Sequence, residues 1–110
     1  MYDIAIIGGG VIGGMIARRL ARFDLKTVIL ERCNDVAMGA TRANSAIVHA
    51  GFDAKAGTLK SRLNVRGSAL MEQVCSELGV KYSRCGSLVV GLGEEDRATL
   101  EELKERGTAA

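Results

Sequence analysis

The sequence predicts an α/β fold opening on a parallel βαβ unit, and three observations carry that expectation. A β-branched run, Ile4-Ala5-Ile6-Ile7, stops abruptly at Gly8-Gly9-Gly10. An amphipathic helical pattern begins at Val11, directly after the glycines. A second strand-like run, Lys26-Thr27-Val28-Ile29-Leu30, ends on Glu31. Strand, turn, helix and strand thus fit within about 30 residues, the length such a unit needs.

Each element has its own justification. The first run is short, continuously apolar and bounded by glycine, which marks a buried parallel strand. In the helix that follows, Ile12, Ile16 and Leu20, with Met15 and Phe23, share one face, while Arg18, Arg19 and Arg22 face solvent. Asp24 breaks that helix ahead of the second strand. From Arg32 to Ala46 no period holds. Asn34, Asp35, Gly39, Thr41, Asn44 and Ser45 there are loop and cap residues. A second helix is expected from about Thr58 to Leu78, with Thr58 as N-cap and Gly79 as stop. Leu59, Leu63, Leu70, Val74 and Leu78 form its apolar stripe. Within 81–92, Gly86-Ser87-Leu88-Val89-Val90 reads as a strand. Glu94 to Arg106 reads as an exposed helix whose three leading acids suit the positive end of its dipole. A parallel sheet needs both faces covered, and one crossover helix on two strands does not do that. The chain therefore reads as the opening of a longer protein.

Composition excludes several classes. The chain has 110 residues, the size of one small domain, and a formal charge of +2. That charge is too weak for a nucleic-acid or polybasic membrane partner. With no Trp, two Tyr and two Phe, a stacking surface for single-stranded nucleic acid is a poor fit. Cys33, Cys75 and Cys85 are odd in number and contain no CxxC pair, which argues against a disulfide framework. With His49 the only histidine, no metal site is expected either. All three thiols read as reduced packing residues. Neither a signal peptide nor a membrane span is visible, so a cytoplasmic location is expected.

Chemistry concentrates in Gly8-Gly9-Gly10-Val11-Ile12-Gly13, which fits G-x-G-x-x-G. Gly8 permits the tight turn out of the strand, and Gly10 lets backbone N–H groups of the turn, through Val11 and Ile12, approach a diphosphate. Gly13 lets the helix pack closely on the sheet. Alone, the pattern fits a plain glycine-rich turn as well. Its placement between a strand and a helix, with Glu31 ending the next strand, makes it a Rossmann-like fingerprint for an ADP moiety. The Glu31 carboxylate accepts hydrogen bonds from both ribose hydroxyls and would repel the 2′-phosphate of NADP. The alternative is a surface acid that merely ends a strand. Arg32 either covers the adenine face or is solvated.

FAD and NAD share this fingerprint, and the next stretch separates them. Gly39-Ala40-Thr41-Arg42-Ala43-Asn44-Ser45-Ala46-Ile47-Val48-His49-Ala50-Gly51 resembles the second flavin-contacting stretch of the glycine-oxidase/D-amino-acid-oxidase superfamily of FAD-dependent oxidoreductases. Within it, the run resembles the branch holding FAD-dependent glycerol-3-phosphate dehydrogenases and L-2-hydroxyglutarate oxidases. Gly51 to Lys60, Leu63 to Gly67 and Gly86-Ser87-Leu88 are similar to that branch as well. The resemblance spans the chain but only the N-terminal quarter or so of a typical member. It implies an FAD-binding unit with its flavin-contacting loop over 1–50, followed over 51–110 by a helix–strand–helix start of the remaining FAD and substrate region.

The resemblance also implies residue roles. Thr41, Asn44 and Ser45 would sit at a short helix N-terminus beside the flavin and its ribityl-phosphate arm; the plain alternative is an N-cap alone. Ala46 stands where the family more often has Gly. His49 would lie by the isoalloxazine ring as general base or electrostatic tuner, against the alternative of a hydrogen-bonded structural histidine. Lys55, Lys60, Arg62 and Arg66 either help hold an anionic substrate or flavin phosphate, or form a solvated face. The implied activity is FAD-dependent dehydrogenation of a small hydroxy acid or polyol phosphate. Two other readings stay open: a catalytically inert truncated fragment whose bare strand edges invite self-association, and an NAD-binding domain.

Overall fold

The structure, a computed structural model, describes residues 1–109. It divides into two compact units, the first spanning Met1–Ile47 and the second beginning at Val48.

In the first unit, β1 (Ile4–Ile7) and β2 (Thr27–Leu30) pair in parallel, with α1 (Val11–Leu20) as the crossover. Ile4 lies opposite Thr27 and Ile7 opposite Leu30. Backbone bonds extend the ladder at both ends, from the Asp3 N–H to the Lys26 carbonyl (2.9 Å) and from the Gly8 N–H to the Leu30 carbonyl (2.8 Å). The Asp3 carboxylate also accepts the Lys26 N–H at 2.8 Å, pinning where both strands start. This register sets Glu31 one residue past the paired end of β2, level with the glycine turn after β1.

Helix α1 stops at Leu20, short of Asp24, because its last turn tightens: Arg22 and Phe23 donate to carbonyls three residues back. Covering is thinner than the run of apolar residues predicts. Ile6 is buried, but Ile7 is 89% and Ile12 75% exposed. A single helix on a two-stranded sheet shields one face, so the expectation of a buried strand holds for Ile6 alone. Arg18 is half-buried rather than fully facing solvent.

The second unit holds α2 (Leu59–Leu78), a 3-10 turn (Glu94–Asp96) and α3 (Arg97–Ala109). Both ends of α2 form as its sequence dictates. The Thr58 hydroxyl accepts the Ser61 N–H at 3.2 Å. Gly79 takes the left-handed conformation at φ 66°, and the Val80 N–H donates back to the Cys75 carbonyl at 2.8 Å. The strand expected at 86–90 does not form; the backbone there runs without helix or strand, and Leu88 is 92% exposed. A strand needs a ladder partner, and no strand among the described residues pairs with this one. The three leading acids form the 3-10 turn, and α3 starts only at Arg97. There the Asp96 carboxylate accepts the Leu92 N–H at 2.9 Å, fixing the turn.

Ile6, Ala54 and Cys75 are the buried hydrophobic residues among those described. Cys75 therefore packs as expected, whereas Cys33 and Cys85 are exposed thiols, a correction to the reading of all three as packing residues. They lie on a loop and on an unpaired segment that no apolar layer covers. No helix among the described residues is long and apolar enough to cross a membrane.

Candidate functional site

The glycine turn is built from backbone demands. Leaving β1, Gly8 adopts φ +103°, a conformation that residues with a side chain rarely take. Gly10 then caps α1 in an extended conformation and offers no side chain to the helix's free N–H groups. A methyl group on Gly13 would run into the Gly8 carbonyl oxygen, so this glycine is what lets α1 lie tight against the turn. A methyl group on Gly10 would sit 3.0 Å from the Thr41 hydroxyl, which leaves a cradle lined by main chain.

Two side chains from further along the chain meet this turn. The Glu31 carboxylate accepts the Gly9 N–H through Oε2 at 2.7 Å and the Cys33 N–H through Oε1 at 2.9 Å. The Cys33 and Gly9 amides hold its pKa below the ordinary value of 4.5, Cys33 having the larger effect. Each oxygen retains accepting capacity beyond its single amide bond. Thr41 Oγ1 accepts the Val11 N–H at 3.0 Å, taking one first-turn donor of α1. The Ile12 and Gly13 amides, in the same first turn, lie too early in α1 for an i→i−4 acceptor within the helix.

A hollow opens on each side of the turn, with Ile7, Gly8, Gly10, Ala40 and Thr41 shared by both. One, of about 710 Å³, runs past Val11, Ile12 and Gly13 to Asn44. The other, of about 390 Å³, runs past Leu30 to Glu31, Arg32 and Cys33. The structure thus brings Gly8, Gly10, Val11, Ile12, Gly13, Glu31, Arg32, Thr41 and Asn44 to one place. Ser45 lines neither hollow. No helix begins at Thr41–Ser45, contrary to expectation. Asn44 accounts for the difference: its amide donates to the Thr41 carbonyl and its Oδ1 accepts the Ala46 N–H at 2.8 Å. This local closure satisfies groups that a helix would otherwise use. Ala46 is left at φ 55°, where a glycine would sit without strain.

In the second unit, His49 Nδ1 lies 2.8 Å from Asp53 Oδ2, both side chains being largely exposed. A carboxylate only accepts, so in this pair Nδ1 carries the hydrogen, and in the neutral ring the lone pair is then on Nε2. The sequence reading missed Asp53; the available signal was an acid four residues after the single histidine, across Gly51. Of the four basic residues singled out in this unit, Arg62 and Arg66 line a common cavity, whereas Lys55 and Lys60 do not.

The residues at the glycine turn fit the ADP part of a dinucleotide. A main-chain cradle with first-turn N–H groups suits a diphosphate, and an accepting carboxylate in the adjoining hollow suits a ribose. The family model described as FAD dependent oxidoreductase matches residues 3–110. A glycerol 3-phosphate dehydrogenase of Caloramator mitchellensis is 49% identical over 107 residues, 97% of this chain and 22% of the relative. The mitochondrial L-2-hydroxyglutarate dehydrogenase of Dictyostelium discoideum is 39% identical over 109 residues, 97% of this chain and 24% of the relative. A glycerol 3-phosphate oxidase of Mycoplasma pneumoniae is 34% identical over 108 residues, 97% of this chain and 28% of the relative. The chain thus spans about a quarter of the length of the curated relatives it matches. A glycine turn with an acid one strand away and a family match over nearly every residue converge on one statement: this chain belongs to the FAD-dependent oxidoreductases.

Proposed function

We propose that this chain is the FAD-binding opening of a flavin-dependent dehydrogenase or oxidase that acts on a small anionic hydroxy compound, a polyol phosphate or a 2-hydroxy acid. The observation that carries the reading is Glu31, held by the Gly9 and Cys33 amides beside the diphosphate cradle. In this assignment Glu31 takes the adenosine ribose, the first-turn amide of Ile12 takes the diphosphate, joined by that of Val11 once the Thr41 hydroxyl yields it, and Arg32 borders the adenine. The Thr41 hydroxyl and the Asn44 amide stand on the flavin side, and Ser45 is assigned there by resemblance. A carboxylate at Glu31 disfavours a 2′-phosphorylated dinucleotide.

Bound FAD supplies the two-electron acceptor for the substrate carbon. The protein's own contribution is proton removal, which we assign to His49 Nε2, with Asp53 holding the ring in the tautomer that presents it. The substrate class rests on the relatives, which are named for glycerol 3-phosphate and L-2-hydroxyglutarate. So few apolar side chains are buried that we assign turnover to a longer protein and cofactor attachment to this chain.

Titration of the chain with FAD, followed by flavin fluorescence, tests the reading. Saturable binding is expected, with Glu31→Ala weakening it about tenfold, as for a lost hydrogen bond to a charged group. Unchanged affinity in that variant, with folding intact by circular dichroism, would refute the ribose assignment. Equal competition by NAD would favour the NAD-binding alternative.

A further inference from the structure

Gly9 carries an inference that deepens the cofactor reading and rests on it. The dinucleotide pattern leaves its second position open, yet this chain has glycine there. Backbone conformation does not demand it, because Gly8 has the positive φ of the turn and Gly9 does not. Crowding does. A methyl group on Gly9 would lie 3.1 Å from Val36 Cγ1 and 3.3 Å from Glu31 Oε2. Val36 belongs to the loop after β2, where the Asp35 carboxylate accepts its N–H at 2.7 Å.

The next residue holds the turn directly. Ala37 donates its N–H to the Gly9 carbonyl at 3.0 Å, and it does so at φ 59°, a left-handed conformation that is costly with a side chain. Strain kept at one residue beside a candidate site points to a task for that residue. Peptide planarity supplies one. Across a trans peptide the carbonyl and the following N–H point in opposite directions. A Gly9 carbonyl fixed on Ala37 therefore turns the Gly10 N–H away from the loop. That N–H has no acceptor among the described residues, and Gly10 borders both hollows of the turn. The preceding peptide is fixed in the same manner: its N–H, from Gly9, goes to Glu31, and its carbonyl, from Gly8, lies against Gly13. Two consecutive peptide planes are thus set, one by Glu31 and the other by Ala37.

We infer that Ala37, backed by Val36, is a positioning residue that aims the Gly10 N–H at the cofactor diphosphate. Adenosine and ADP are the probes, each titrated into the chain and followed by amide NMR. The ratio of their affinities reads the phosphate contacts, and any change in the wall that Ala37 lends the smaller hollow cancels from it. Ala37→Pro removes the N–H and cannot take a positive φ, and the ADP preference is expected to fall about tenfold. Ala37→Gly keeps the donor and relieves the conformation, so the preference is expected to survive. Val36→Ala leaves every N–H in place and only slackens the packing on Gly9; a fall of about threefold is expected. That variant decides the matter if proline unfolds the loop. A merely structural role would weaken both probes alike. An ADP preference that is the same in the parent, Ala37→Pro and Val36→Ala would overturn the assignment and leave the cofactor reading standing. A parent chain that binds neither probe would overturn both.

Discussion

The Gly9 N–H donates to Glu31 Oε2 across 2.7 Å, although Glu31 lies 22 residues further along the chain. That bond ties the glycine turn to the end of β2 and holds a carboxylate beside the hollow expected to take a ribose. It also gives the site a pH signature.

Because hydrogen bonds from the Cys33 and Gly9 amides favour its carboxylate form, Glu31 is expected to titrate below 4.5 in the folded chain. The sign follows from linkage. A carboxyl with a lowered folded value contributes stability that is complete above 4.5 and is lost as pH falls through the lowered value. A carboxyl carbon NMR titration of the chain checks this, and a midpoint at or above 4.5 would contradict the bonding described.

Gly13→Ala is expected to push α1 off the turn, since the added methyl meets the Gly8 carbonyl oxygen, a main-chain atom that cannot rotate away. The cost should resemble overpacking elsewhere, about 1–3 kcal/mol. Hydrogen exchange is the measurement, with faster exchange expected in α1 while α2 stays as protected as in the parent. Equal exchange rates in α1 would show that the close approach is dispensable.

If the proposed function holds, Asp53→Asn in a protein with that activity is expected to lower kcat about tenfold or more while leaving KM nearly unchanged. An amide can satisfy either ring tautomer and so stops enforcing the one that presents Nε2. A pH–rate profile distinguishes this from a structural role: the limb assigned to His49 should move in the variant. A profile that merely drops in height would count against the assignment.

Ile7 and Leu30, at the C-terminal ends of the two strands, are both well exposed, and neither strand has a second neighbour among the described residues. Open strand edges beside uncovered apolar side chains are a route to association. Sedimentation is expected to show concentration-dependent self-association of the chain, reduced by Leu30→Lys. A monomer at all concentrations would mean that the faces are shielded in another way.

How far the sequence could be read depended on whether a local rule governed the residue. The glycine turn, the bounds of β1, and the Thr58 and Gly79 caps of α2 were legible because each rests on a backbone constraint within a few residues. Glu31 was legible because the strand register carries it to the turn. The strand expected at 86–90 failed because its apolar residues specify burial, and only a partner strand could turn that into a ladder. Helix initiation at Thr41 failed for a different reason: Asn44 closes the loop on itself, a competition that composition does not reveal. The His49–Asp53 pair needed side-chain positions that no periodicity encodes.

The Thr41 hydroxyl has a last consequence. By accepting the Val11 N–H at 3.0 Å, it serves the helix end as a neutral proxy for an anion. The glycine turn can hold its shape while waiting, and the entering ligand meets a seat already formed instead of one it must assemble. Such readiness favours affinity by sparing the ordering that a slack loop would demand of its guest.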